Sequence, residues 1–100
     1  MYVAACRVTL YLPASDSLKD KRQVVRSLVQ RLRNTFEIAA AEVEEQDKRQ
    51  IAVLGLAAAS GDAGHAEEVL DHAVRFIEET RPDVTISDVQ VELMTVGGTV

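Results

Sequence analysis

The residues able to do covalent or metal chemistry in this chain are few and badly placed to cooperate. Cys6 is its single cysteine, so neither a disulfide nor a dithiol couple is available. It falls on the apolar parity of a strand, the setting of a small buried hydrophobe. His65 and His72 lie seven apart on a helix, about 10.5 Å along its axis, too far to ligate one metal together. No metal or cofactor is expected. Glu42 and Glu44 share a face of their strand, but no acid of altered environment stands beside them to divide acid and base roles, so they are expected to solubilise or to line an interface. No arrangement of these residues amounts to a catalytic constellation, and the expectation is a protein that is not an enzyme.

Charge is the chemistry that remains. The stretch SDSLKDKRQVVRSLVQRLRNTF, from Ser15 to Phe36, is an amphipathic helix pattern crowded with Lys and Arg, within a chain whose net charge is −5. At 100° per residue Leu18, Val25, Leu28, Val29, Leu32 and Phe36 share one arc, which must face a core. Lys19, Arg22, Arg26 and Arg33 share another and form a line along one side. Lys21 and Arg31 stand apart, near the edges of the apolar arc, where their stems can snorkel. Cations in the first turn oppose the helix dipole at a cost of roughly 0.3–1 kcal/mol each when exposed. An external polyanion such as RNA would offset this, and so would an acidic second helix alongside. Lys19, Lys21, Arg22, Arg26 and Arg33 are therefore the candidate anion contacts. They would supply phosphate contacts and no base readout.

The elements that position this helix follow from periodicity. Tyr2–Leu12 alternates Cys6, Val8, Leu10 and Leu12 against Arg7, Thr9 and Tyr11, the period of a strand with one apolar face, and Pro13 ends it. Ser17, with Asp20 three residues on, makes a variant capping box that starts the first helix. Residues 37–45 and 50–60 are two strands joined through Gln46–Arg49, without the Asn-Gly or Asp-Gly of a tight hairpin. The third strand is apolar at both parities and should be covered on both faces. Gly55 in its middle indicates a bulge or a close backbone approach. A second helix over residues 65–80 buries Ala66, Val69, Leu70, Ala73, Val74 and Ile77 and is otherwise acidic. Arg81-Pro82-Asp83 stops it, and residues 84–94 form the last strand.

The order β-α-β-β-α-β predicts a ferredoxin-like α+β sandwich: a four-stranded mixed sheet with the first and third strands central and parallel, and both helices on one face. One domain spans residues 1–96, with residues 97–100 as a frayed tail. On the open face Arg7 is expected to pair with Glu92 of the fourth strand. The two-sided apolarity of the third strand suggests a homodimer through that face, with Arg7, Val53, Ala57 and Glu92 as its candidate contacts. Aromatics for base stacking are missing from the third strand, which argues against an RRM-type mechanism and keeps any RNA site on the helix. The turn Pro13-Ala14-Ser15-Asp16 has neither the glycine nor the arginine of an acylphosphatase loop.

The segment CRVTLYLPASDSLKDKRQVVRSLVQRLRNTFEIAAAEVEEQD, with Ser17-Leu18-Lys19-Asp20-Lys21-Arg22 at its centre and Ala41-Glu42-Val43 after it, closely resembles the YlxP-like proteins of domain of unknown function family 503. The resemblance implies a ferredoxin-like fold and a family usually encoded near translation-initiation and ribosome-maturation factors. It implies no reaction. With no signal-peptide pattern and no apolar run near the roughly 20 residues of a membrane span, a cytoplasmic protein is expected. Its function is expected to be association with RNA or ribosomal particles. The alternative is a homodimeric interaction module or small-ligand regulatory module using the open sheet face.

Overall fold

The computed structural model describes residues 1–98. It contains β1 (Tyr2–Tyr11), α1 (Leu18–Phe36), β2 (Ala39–Glu44), β3 (Ile51–Ser60), α2 (Ala63–Thr80) and β4 (Thr85–Thr95). All six expected elements are present, and their shifted ends have local causes. The Asp20 N–H donates to Ser17 Oγ at 3.1 Å, which caps α1 as expected. The Asp20 carboxylate, however, accepts from the Asp16 N–H at 3.2 Å, one residue earlier than a capping box would have it. Glu37 closes α1 in a left-handed conformation, φ 53°, so β2 begins at Ala39 and not at Glu37. Asp62 caps α2 by accepting from the His65 N–H at 2.9 Å, which starts that helix at Ala63. Of the tail, Gly97 and Gly98 adopt positive φ, and Thr99 and Val100 lie outside the described residues.

The strand order is β2-β3-β1-β4, and every neighbouring pair is antiparallel. This corrects the expected mixed sheet with parallel central strands. Each crossover, β1-α1-β2 or β3-α2-β4, returns a strand parallel to the one it left but two positions away. The gap is filled by a strand of the other unit running the opposite way, which is what splits the two units.

Ala4, Cys6, Val8 and Leu10 of β1 and Ala52, Leu54, Leu56 and Ala58 of β3 face the helices. There they meet Val25, Leu28 and Leu32 of α1 and Ala66, Leu70, Ala73 and Ile77 of α2 in one core. Each large aliphatic buried here contributes about 1.5–3 kcal/mol. The helices meet through Phe36 and Phe76, ring centroids 5.4 Å apart and nearly perpendicular, and the Arg31 guanidinium lies 5.2 Å from the Phe76 centroid. Arg31 thus lays its charge over a ring at the edge of the apolar arc. No helix among the described residues is long and apolar enough to cross a membrane.

On the face away from the helices, Arg7 stands where expected but with a different partner. It donates from Nε and Nη2 to the two oxygens of Glu44, at 2.8 and 2.7 Å. Glu92 is not involved: it stands opposite Ala5 in the register, and Arg7 stands opposite Gln90 on one side and Gly55 on the other. With no side chain at Gly55, the guanidinium can reach across β3 to β2. Gly55 also makes the expected close approach, because a Cβ there would meet Val43 Cγ1 at 2.8 Å. Val53, a candidate contact for a partner, is only 1% exposed in the single chain, so the second apolar row of β3 is partly covered from within.

Candidate nucleic-acid interface

Helix α1 sorts its cations into two groups by what the sheet offers them. Lys21 is fully buried. Its ammonium donates to the carbonyls of Glu45 at 2.7 Å and Ile51 at 2.9 Å, and lies 3.0 Å from Glu42 Oε2. The two carbonyls take hydrogen bonds, the Glu42 carboxylate balances the charge as an ion pair, and together they tie the first turn of α1 to both ends of the β2–β3 connection. Lys21 is therefore withdrawn from the anion-contacting set. Its stem reaches inward across the apolar boundary, and strand backbone supplies the acceptors that were expected from outside.

Lys19, Arg22, Arg26 and Arg33 are exposed, and among the described residues none of them forms an ion pair. The acidic second helix does not neutralise them. Within α2, Asp71 pairs with Arg75 at 3.1 Å and Glu68 lies 3.9 Å from His72. Arg33 spends its Nε on the Ala40 carbonyl at 2.9 Å, which fixes the guanidinium at the edge of β2. Arg22, Arg26 and Arg33 line a groove of about 380 Å³ between α1 and that edge, floored by Val25, Val29 and Ala41 and flanked by Gln30 and Glu42. The result is a row of unpaired cations beside a shallow apolar floor, suited to a polyanion whose charges are spaced along a chain.

The two glutamates of β2 do not share a face. The β2–β3 register shifts between Glu42, opposite Leu54, and Glu44, opposite Val53, leaving Val43 as an extra residue. Glu42 consequently turns to the helix side and Lys21, and Glu44 to the open side and Arg7. The hydrogen bonds from Arg7 hold the Glu44 carboxyl below the usual carboxylate range. Sequence reasoning missed both pairings. The available signal was the non-alternating run Glu42-Val43-Glu44-Glu45 against a glycine on the neighbouring strand.

On the open face Ala5, Ala39, Ala41, Gly55 and Ala57 floor a trough of about 900 Å³, with Arg7, Gln90 and Glu92 at its rim. His65 and His72 are exposed, and no group of three metal-ligating side chains occurs among the described residues. Cys6 is buried, and burial pushes its thiol above the ordinary range, which makes it a poor nucleophile.

With this geometry in place, the chain can be compared with known proteins. The family model described as "Protein of unknown function (DUF503)" matches residues 3–91. The chain belongs to the DUF503 family. The uncharacterized protein YlxP of Bacillus subtilis (strain 168) is 32% identical over 75 residues, covering 75% of this chain and 79% of that one. Among solved structures, a de novo designed protein with a ferredoxin fold superposes with a TM-score of 0.63 at 15% identity, over 99% of this chain and 91% of its own. The designed protein Foldit4 gives 0.59 at 13% identity, over 97% and 100%. An amidase of the hydantoinase/carbamoylase family from Burkholderia phymatum gives 0.52 at 10% identity, over 97% of this chain and 28% of the amidase. At these identities the structural likenesses establish the ferredoxin-like fold of this DUF503 chain and nothing about its chemistry.

Proposed function

We propose that the protein associates with RNA, free or in ribosomal particles, through the exposed cations of α1. The observation that carries this reading is that Lys19, Arg22 and Arg26 stand in line on one helix without an internal anion, in a chain of net charge −5. Lys19 and Arg22 also occupy the first turns, where the dipole makes an unpaired cation unfavourable; RNA phosphates would remove that cost. Arg33, anchored by Ala40, extends the line toward the edge of β2. Binding by these side chains is to the backbone, independent of sequence and steeply salt-dependent.

The test is fluorescence anisotropy of a labelled single-stranded RNA titrated at several salt concentrations. The wild-type chain should bind at low salt, and the double variant R22E/R26E should lose binding while keeping its circular dichroism spectrum and melting temperature. Neutral R22Q/R26Q should bind with a shallower salt dependence, its log–log slope reduced by about 1.4, or about 0.7 for each single-strand phosphate contact removed. Equal binding by wild type and R22E/R26E would refute the reading.

A second reading, a partner or small ligand on the open face, rests on the trough bordered by Arg7 and Glu92. With Val53 already covered and Arg7 engaged by Glu44, its available contacts reduce to the alanine floor, including Ala57, and the rim residues Gln90 and Glu92.

A further inference from the structure

The two edges of the sheet are finished differently. β2 is six residues long, interrupted at Val43, and carries Arg33 on its Ala40 carbonyl. Shortness, a bulge and a charge at the edge are the devices by which natural sheets avoid pairing with another chain. β4 is bulged only near its start, at Ser87, and its regular stretch carries charge only on the open face, at Asp88 and Glu92. It is eleven residues long, and it presents Val89, Val91 and Leu93 at 39%, 52% and 40% exposure. These three stand opposite Val8, Cys6 and Ala4, so they belong to the row that faces the helices. They lie uncovered because α2 packs over β1 and β3 and makes little contact with β4. A core-facing apolar row left in solvent on a long edge strand is a surface built for another strand.

We infer that β4 pairs with β4 of a second copy, antiparallel about a two-fold axis, joining two sheets into one of eight strands. Residues opposed across such an axis must lie on the same face, so the axis passes through a residue and the pairing has few registers. The bulge at Ser87, where Thr9 stands opposite Asp88 but Leu10 opposite Ile86, bounds the regular stretch at one end. The left-handed Gly97 and Gly98 bound it at the other. Centring on Gln90 opposes Asp88 to Glu92, and centring on Glu92 opposes that carboxylate to its own copy; like charges directly opposed are destabilising. Centring on Val91 avoids both. It places Val91 against Val91, Val89 against Leu93, Gln90 against Glu92 and Asp88 against Met94. The apolar row then closes on itself, and the Gln90 amide can donate to the partner's Glu92 carboxylate.

One feature opposes the assembly and gives it a signature. On α2, Glu67, Asp71 and Glu78 lie on the flank away from Phe76 and α1, hence toward the β4 side. The two acidic flanks approach each other across the joined sheet, with the ion pair of Asp71 to Arg75 relieving part of the charge. Added salt should therefore strengthen the dimer, opposite in sign to its effect on RNA binding.

Sedimentation equilibrium of the full chain across a concentration series tests this. A dimer that tightens with salt is expected, weakened at least tenfold by V91K, whose site is exposed in the single chain so that folding is retained. A57R, in the trough on the open face, should leave it unchanged. Under mild oxidation, in a C6A background that removes the thiol standing opposite position 91 in the same chain, V91C should cross-link between copies and E92C should not, since only position 91 meets its own copy. A chain that stays monomeric at high micromolar concentration, a dimer indifferent to V91K, or a dimer lost with A57R overturns the inference. None of these outcomes bears on the RNA titration with R22E/R26E.

Discussion

Lys21 shows how far one side chain can depart from its apparent role. In sequence it is one more cation in a basic helix; in the fold it is the largest fully buried side chain, hydrogen-bonded to the carbonyls of Glu45 and Ile51 and ion-paired with Glu42. Removing it leaves a carboxylate at 17% exposure and two carbonyls without their donor, so Lys21→Met should cost about 3 kcal/mol in urea denaturation. Lys19→Met, at an exposed site of the same turn, should cost less than about 0.5 kcal/mol. Glu44 makes a different prediction. Its folded pKa is depressed by the Arg7 hydrogen bonds, so it contributes stability that is complete above the ordinary glutamate range, about 4.3. That contribution is lost as pH falls from there through the lower folded value. Glu44→Gln should flatten the acid limb of a stability-against-pH profile and leave the neutral limb parallel. Cys6, buried with a raised thiol pKa, should react with a thiol reagent only on unfolding, at a rate that follows denaturant.

Among elements, the helices were the more legible. Val25, Leu28, Val29 and Leu32 repeat at helical spacing and are the apolar residues α1 buries; Ala66, Leu70, Ala73 and Ile77 do the same for α2. Periodicity reports this well because it depends only on one face meeting a core. The strands were legible in existence and less so in detail. The inserted Val43 reverses the parity of everything after it in β2, and the run Glu42-Val43-Glu44-Glu45 reveals the insertion only when it is set against the glycine of the neighbouring strand. Gly55 is that cause in part: its missing side chain leaves room for Val43 and lets Arg7 through to Glu44. Gly55→Val should therefore destabilise by about 1–3 kcal/mol through overpacking and return Glu44 to an ordinary titration, read by NMR of the carboxyl carbon. The division of α1 into one buried and several free cations was likewise illegible, because it is decided by where the β2–β3 connection places two backbone carbonyls.

At the scale of the molecule, the element order is enough to give the fold but does not by itself give the relative direction of the central strands. Adjacent strands joined by a helix suggest parallel neighbours, yet here β1 and β3 come from different crossover units and run antiparallel. The same topology determines what is left over: two helices spread over four strands cover the centre, and the outer row of β4 stays bare. The surface thus carries two unspent features of opposite character, a cationic line on α1 and an apolar edge on β4. They should respond to ionic strength in opposite senses, so one salt series read by anisotropy and by sedimentation separates them.

The tether at Lys21 also bears on how this chain should be compared with its relatives. The segment Ser17-Leu18-Lys19-Asp20-Lys21-Arg22 spends Ser17 and Asp20 on capping and Lys21 on binding the hairpin, so it is chiefly an architectural signature. A chain that shares it inherits the way α1 is docked, whatever that chain binds. For transferring function, the informative positions are 22 and 26 on the helix and 89, 91 and 93 on the edge, where folding makes no demand and a retained residue needs a ligand or a partner to explain it.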